Sequence, residues 1–124
     1  MPSDPTVRPA AVLVVEDESM VRTVAVDMLE DAGLPVLQAA TADAAWAILE
    51  RAEAIGVLFT DIDMPGSMDG LALATQVAEL WPYIRLVVAS SRVTLRDADM
   101  PADGRFLLKP YRQAQLLKAI DTAA

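Results

Sequence analysis

Five short apolar runs punctuate the chain, at Ala11–Val15, Val36–Ala39, Val57–Phe59, Leu86–Val88 and Phe106–Leu108. Continuous runs of this kind suit strands covered on both faces, as in a parallel sheet, and the weaker Val36–Ala39 run suits an edge. Between the runs the apolar positions change period. Met20, Val21, Val24, Met28 and Leu29 recur at helical spacing, as do Ala45, Ile48, Leu49 and Ala52, then Leu73, Val77 and Leu80, and last Leu116, Leu117 and Ile120. Each set predicts a helix that lays one apolar stripe on a core. Breakers fall between the elements: Gly33 and Pro35 stop the first helix, Thr41 can cap the second, Gly56 precedes the third strand, and Gly70 and Pro82 bound the third helix. Segment 91–104 stands where a fourth helix belongs, but it is polar and contains Pro101, so one or two turns are expected there at best. Strict alternation of strand and helix predicts an α/β fold. Its form is a doubly wound, three-layer sandwich with five parallel strands in the order 2-1-3-4-5 and right-handed crossovers. Residues 1–9 hold three prolines and no periodicity, and read as a flexible tail before a single domain at 10–124.

Composition narrows the function. The formal net charge of −8 disfavours direct contact with nucleic acid or an anionic membrane surface. Histidine and cysteine are both absent, which removes catalytic triads, thiolate zinc sites, disulfides and phosphohistidine chemistry on this chain. No apolar run approaches the length of a membrane span and no signal pattern opens the chain, so a cytoplasmic location is expected.

Candidate chemistry follows the strand ends, because ligands in an open parallel sheet bind outside the carboxyl ends near the switch in strand order. The first run leads into Glu16-Asp17-Glu18, the third into Thr60-Asp61-Ile62-Asp63, and the fifth into Lys109-Pro110. The order 2-1-3-4-5 brings these carboxylates and the one ammonium to a common rim. Crowded carboxylates repel unless a proton or cation lies between them. Mg²⁺ suits such a site, since it takes one or two carboxylates and keeps waters that leave room for a phosphoryl group. Carboxylate, Mg²⁺ and lysine together are the minimum set for phosphoryl transfer to an aspartate. Other roles fit the same residues one at a time. Glu16-Asp17-Glu18 suits an acidic turn at a helix N-terminus, and Phe106 an ordinary buried strand position. Gly66-Ser67-Met68-Asp69-Gly70 lacks the Lys-Ser/Thr of a nucleotide loop and reads as a turn into a helix.

Three motifs in order resemble the receiver domain of two-component response regulators: Val14-Val15-Glu16-Asp17-Glu18, Asp61-Ile62-Asp63-Met64-Pro65 with Asp69-Gly70, and Phe106-Leu107-Leu108-Lys109-Pro110. The resemblance covers about residues 10–124 and implies a flavodoxin-like fold. It makes Asp61 the phosphoacceptor, Glu16 and Asp17 the acidic pair for Mg²⁺, Asp63 a metal ligand through its backbone carbonyl, and Lys109 the phosphoryl contact. It also implies a cis Lys109–Pro110 bond and an aromatic switch at Phe106. The implied partner is a sensor histidine kinase or a histidine phosphotransfer protein. The implied role is a signalling module that catalyses only its own phosphorylation and dephosphorylation.

The chain departs from the family in three places. The loop after Asp61 is one residue longer than the commonest spacing, helix 4 is curtailed, and alignment puts Ala89, with Ser90 beside it, where the family has the Thr or Ser hydroxyl that binds the phosphoryl group. With Ala89 facing the site, the response would be modest and would use Ser90 only after a local shift. Two alternatives stand beside the main expectation. A degenerate receiver would bind a partner without phosphorylation, which Ala89 and the short helix favour and Asp61 and Lys109 oppose. The Val57–Asp63 stretch also resembles the first motif of haloacid-dehalogenase-type phosphatases, although those enzymes carry their other acidic ligands downstream on larger chains. The sequence ends after its last helix with no effector domain, which suggests a stand-alone receiver; a receiver excised from a larger protein would read the same.

Overall fold

A computed structural model describes residues 10–51, 54–64, 68–92 and 94–123. The expected tail at 1–9, Ala52 in the second stripe, and Pro65 and Gly66-Ser67 in the turn lie outside the described residues. The strands are β1 (Ala11–Val15), β2 (Val36–Ala39), β3 (Ile55–Asp61), β4 (Arg85–Ser90) and β5 (Arg105–Leu108). They form one parallel sheet in the order β2-β1-β3-β4-β5, as the alternating pattern predicts. The helices are α1 (Ser19–Asp31), α2 (Ala42–Arg51), α3 (Gly70–Leu80) and α4 (Gln113–Thr122).

Side-chain alternation divides the core in two. Leu13, Val15, Leu58, Leu86 and Val88 point to one face, where α2 and α3 cover them with Ala45, Leu49, Leu73 and Val77. Val12, Val14, Phe59, Val87 and Ala89 point to the other, beneath Ala25, Leu29, Leu116 and Ile120 of α1 and α4. Helix ends follow the expected residues. The Thr41 hydroxyl accepts the Ala44 N–H at 3.0 Å. After α1, Gly33 takes a φ of 83°, which lets its N–H reach the Glu30 carbonyl and the Leu34 N–H reach that of Leu29.

Three expectations are corrected. Gly56 lies inside β3 rather than before it, because the ladder runs past an irregularity to pair Ile55 with Ala11. Leu80 is exposed, and α3 is held instead by Gly70, Leu73, Ala74 and Val77. In α1 the buried residues are Ala25, Val26 and Leu29, whereas Met20 and Val24 are 82% and 52% exposed. Segment 91–104 agrees with the expectation of one or two turns: it forms no α-helix among the described residues. It holds two 3₁₀ turns, Asp97–Asp99 and Pro101–Asp103, and Ala102 and Asp103 take left-handed φ values of 51° and 57° there.

Tyr111, just beyond β5, packs edge-on against Phe59 with ring centroids 5.5 Å apart. Burial pushes its phenol up to about 12. The unfolded chain releases that proton near pH 10. The folded state therefore holds the proton longer, and stability should fall as the pH rises above about 10. An alkaline absorbance titration is expected to show a late phenolate step that Tyr111→Phe removes; an unchanged late step in that variant would contradict this packing.

Candidate functional site

β1 and β3 are neighbours, with Val15 paired to Thr60, so Glu16 and Asp61 emerge side by side at the carboxyl rim. Lys109 arrives from β5, whose ladder it extends by donating its N–H to the Ser90 carbonyl at 3.0 Å. The Lys109–Pro110 bond is cis. The Lys109 ammonium donates to Glu16 Oε1 at 2.5 Å and lies 3.2 Å from Asp61 Oδ1. Glu16 and Asp61 are only 4% and 6% exposed. Glu16 is anchored at its other oxygen by the Glu18 N–H, and its carbonyl accepts from the Arg22 guanidinium at 2.7 Å. Asp61 Oδ1 is ion-paired to Lys109 without hydrogen-bond geometry, which leaves it a buried acceptor with no hydrogen-bond donor.

Burial governs the charges here. It raises both carboxyl groups above their ordinary range, for Glu16 against the Lys109 and Glu18 hydrogen bonds and for Asp61 against the Lys109 charge. Burial alone would lower Lys109, but the two carboxylates outweigh it and hold the ammonium above its ordinary value. One fixed positive charge is thus shared by two reluctant anions.

Oxygens of Glu16, Asp17 and Asp61 lie within 4.8 Å of one another, with Asp17 exposed to solvent. An all-oxygen donor set beside an orphaned carboxylate oxygen fits a small hard cation such as Mg²⁺. Above it opens a cleft of about 620 Å³, lined by further carboxylates of Glu18, Asp63 and Asp69 and by Ser91 and Arg92.

The expected switch positions separate. Ala89 is the register partner of Asp61 on the same face and, beside Val14 and Phe59, lines a small cavity with Asp61 and Lys109, so the position facing the acceptor carries no hydroxyl. β4 continues one residue further to Ser90, whose buried side chain alternates to the other face and donates its hydroxyl proton to Asp63 Oδ2 at 2.8 Å. Phe106 lies opposite Val88 and packs on the α2–α3 side of the sheet. Asp63 enters through its side chain, a role that the sequence did not reveal.

Sequence reasoning placed Gly70 at the start of the third helix but missed its contact with Asp61. Asp69 caps α3 by accepting the Ala72 N–H at 2.8 Å, and the Gly70 N–H reaches the Ile62 carbonyl at 3.1 Å. A Cβ at Gly70 would stand 1.7 Å from the Asp61 carbonyl oxygen. The start of α3 is therefore seated directly on the Asp61 peptide. Beside the rim, exposed Met20 and Val24 join Val21, Met28, Pro110 and Tyr111 around an apolar groove of about 430 Å³.

Residues 12–121 match the family described as the response regulator receiver domain. The chain is 33% identical over 113 residues to the response regulator receiver protein CpdR of Brucella abortus, covering 89% of this chain and 92% of that protein. It is also 33% identical over 115 residues to the sensor kinase CckA of the same organism, covering 90% of this chain and 12% of that much longer protein. Among solved structures, a response regulator receiver protein from Sinorhizobium medicae superposes with a TM-score of 0.82 at 29% identity, over 91% of this chain and 92% of that one.

Proposed function

The chain belongs to the response regulator receiver domain family, and from that premise we propose that it is a phosphoacceptor module that takes a phosphoryl group from a partner's phosphohistidine onto Asp61. In the transfer, an Asp61 carboxylate oxygen forms a bond to phosphorus while the P–N bond breaks, and the imidazole leaves with that electron pair and takes up a proton. The observation that carries this reading is the Lys109 ammonium set between Glu16 and Asp61, with Asp61 Oδ1 buried and unbonded. Lys109 turns from the carboxylates to the phosphoryl oxygens as their charge enters the site. Asp17 and Asp61, with Glu16 and the Asp63 carbonyl, would hold Mg²⁺, which supplies positive charge to the phosphoryl oxygens when bound. With Ala89 facing Asp61, a hydroxyl contact to the phosphoryl group would need Ser90 to come round by a local shift of the loop, so the conformational response is expected to be modest.

The chain is not an independent enzyme in this account; it accelerates only its own phosphorylation and hydrolysis, in the cytoplasm. Similarity to a protein named a sensor kinase supports a kinase partner. The apolar groove that ends at Lys109 gives the donor protein a surface beside Asp61. Among the described residues no helix is long and apolar enough to cross a membrane.

Incubation with acetyl phosphate tests the chemistry without the partner. Label is expected only with Mg²⁺, stable in acid, labile in base and absent from Asp61→Asn. Full labelling of Asp61→Asn, or labelling indifferent to chelation of the metal, would refute it.

A further inference from the structure

Arg22, in the first turn of α1, reaches back toward the end of β1, the direction in which long helical side chains lean. Its guanidinium donates to the Glu16 carbonyl at 2.7 Å and to Gln38 Oε1 at 3.1 Å. Gln38 belongs to the edge strand β2, so the planar fork ties the exit of β1, the neighbouring strand and the start of α1 into one unit. The Glu16 carbonyl lies past the last ladder pair of β1 and ahead of α1, in the turn that carries Asp17. It shares one rigid peptide plane with the Asp17 N–H. Holding the carbonyl therefore sets the direction in which Asp17 leaves the strand. Glu16 is separately held through its carboxylate by Lys109 and the Glu18 N–H, whereas Asp17 is the exposed member of the carboxylate cluster. We infer that Arg22 is a positioning residue for the cation site: its guanidinium fixes the Glu16–Asp17 peptide and thereby the aim of the Asp17 carboxylate toward Asp61. The inference rests on Glu16, Asp17 and Asp61 as the Mg²⁺ ligands and adds to that reading how the exposed ligand is held.

Charge and position make opposite predictions. A guanidinium near a divalent cation repels it, so with charge alone at work Arg22→Met would tighten Mg²⁺ binding. Position predicts the reverse, a loss of about tenfold, the lower end of the range for groups that orient metal ligands. Titration of the protein with Mg²⁺, followed by amide NMR, measures the affinity, and the dispersion of the same spectra verifies that each variant is folded. Arg22→Lys keeps the charge and one donor arm, and should recover part of the loss. Gln38→Ala removes the second anchor without changing the net charge, and should weaken binding by less than Arg22→Met. Added to an Arg22→Met chain it should cost nothing more, as befits two ends of one contact. In the metal-free protein, the Asp17 amide resonance should move in Arg22→Met and move less in Arg22→Lys. An affinity in Arg22→Met equal to or above that of the wild type would overturn the inference. So would an unchanged affinity in Gln38→Ala, the arm that decides the matter should Arg22→Met not fold. A wild-type chain that binds no Mg²⁺, or an Asp17→Asn chain that binds it equally well, would overturn the reading of the site as well as this one.

Discussion

Lys109→Met is expected to lose about 3 kcal/mol of stability in metal-free buffer near neutral pH and far less near pH 4. Methionine keeps most of the apolar stem and removes the ammonium, with its charge and its N–H donors. Two buried carboxyl groups then face each other with no cation between them, where the wild type has the ammonium bonded to Glu16 and 3.2 Å from Asp61. Burial already raises both groups. A carboxyl group held above its unfolded value binds its proton more tightly in the folded state. Its stabilising effect is therefore complete below about pH 4 and is lost as the pH climbs through the folded value. Removing Lys109 takes away a charge that lowers both, so the loss becomes steeper. Lys109 is itself held above its ordinary value, so its own contribution is constant below about pH 10 and does not distort the comparison. Urea denaturation at several pH values between 4 and 8 measures this; a wild type and variant that differ equally at every pH would contradict the shared-charge account.

Gly70→Ala should destabilise the fold by about 3 kcal/mol or more, the upper range for overpacking. In most helices the same change is favourable by up to about 1 kcal/mol, so the sign alone is diagnostic. Here the new methyl would stand 1.7 Å from the Asp61 carbonyl oxygen, 2.6 Å from its carbon and 2.8 Å from Thr60 Oγ1. Backbone cannot yield as a flexible side chain does. Either α3 lifts from the sheet or the Asp61 peptide moves, and the second outcome displaces the acceptor. The variant should therefore lose labelling by acetyl phosphate in proportion to its loss of stability or beyond it. A stable, fully labelled Gly70→Ala chain would show that α3 does not seat on β3 as described.

The strands were legible because a sheet covered on both faces demands unbroken apolar runs, and the chemistry was legible because acidic residues and a lysine follow those runs directly. α1 was less so. Met20 and Val24 have helical spacing, but they flank the rim rather than the core, and the core contact falls to Ala25, Val26 and Leu29. Apolarity at the right period does not say which of two apolar stripes is covered. The end of β4 was legible from alternation along the strand. Ala89, the register partner of Asp61, shares its face, and alternation turns Ser90 to the other, where its bond to Asp63 was not foreseeable. The closeness of Gly70 to Asp61 and the bond between Asp63 and Ser90 join distant stretches of chain, and no local pattern encodes them.

The central claim is that Asp61 receives the phosphoryl group, and mapping the modified residue tests it most directly. After reaction with acetyl phosphate and Mg²⁺, borohydride reduction converts an acyl phosphate on aspartate to homoserine. The stretch between Arg51 and Arg85 then holds three candidates, Asp61, Asp63 and Asp69, which peptide mass spectrometry distinguishes. The account predicts homoserine at position 61 alone, and none in Asp61→Asn. Homoserine at 63, 69 or 17, or undiminished modification of Asp61→Asn, would contradict it.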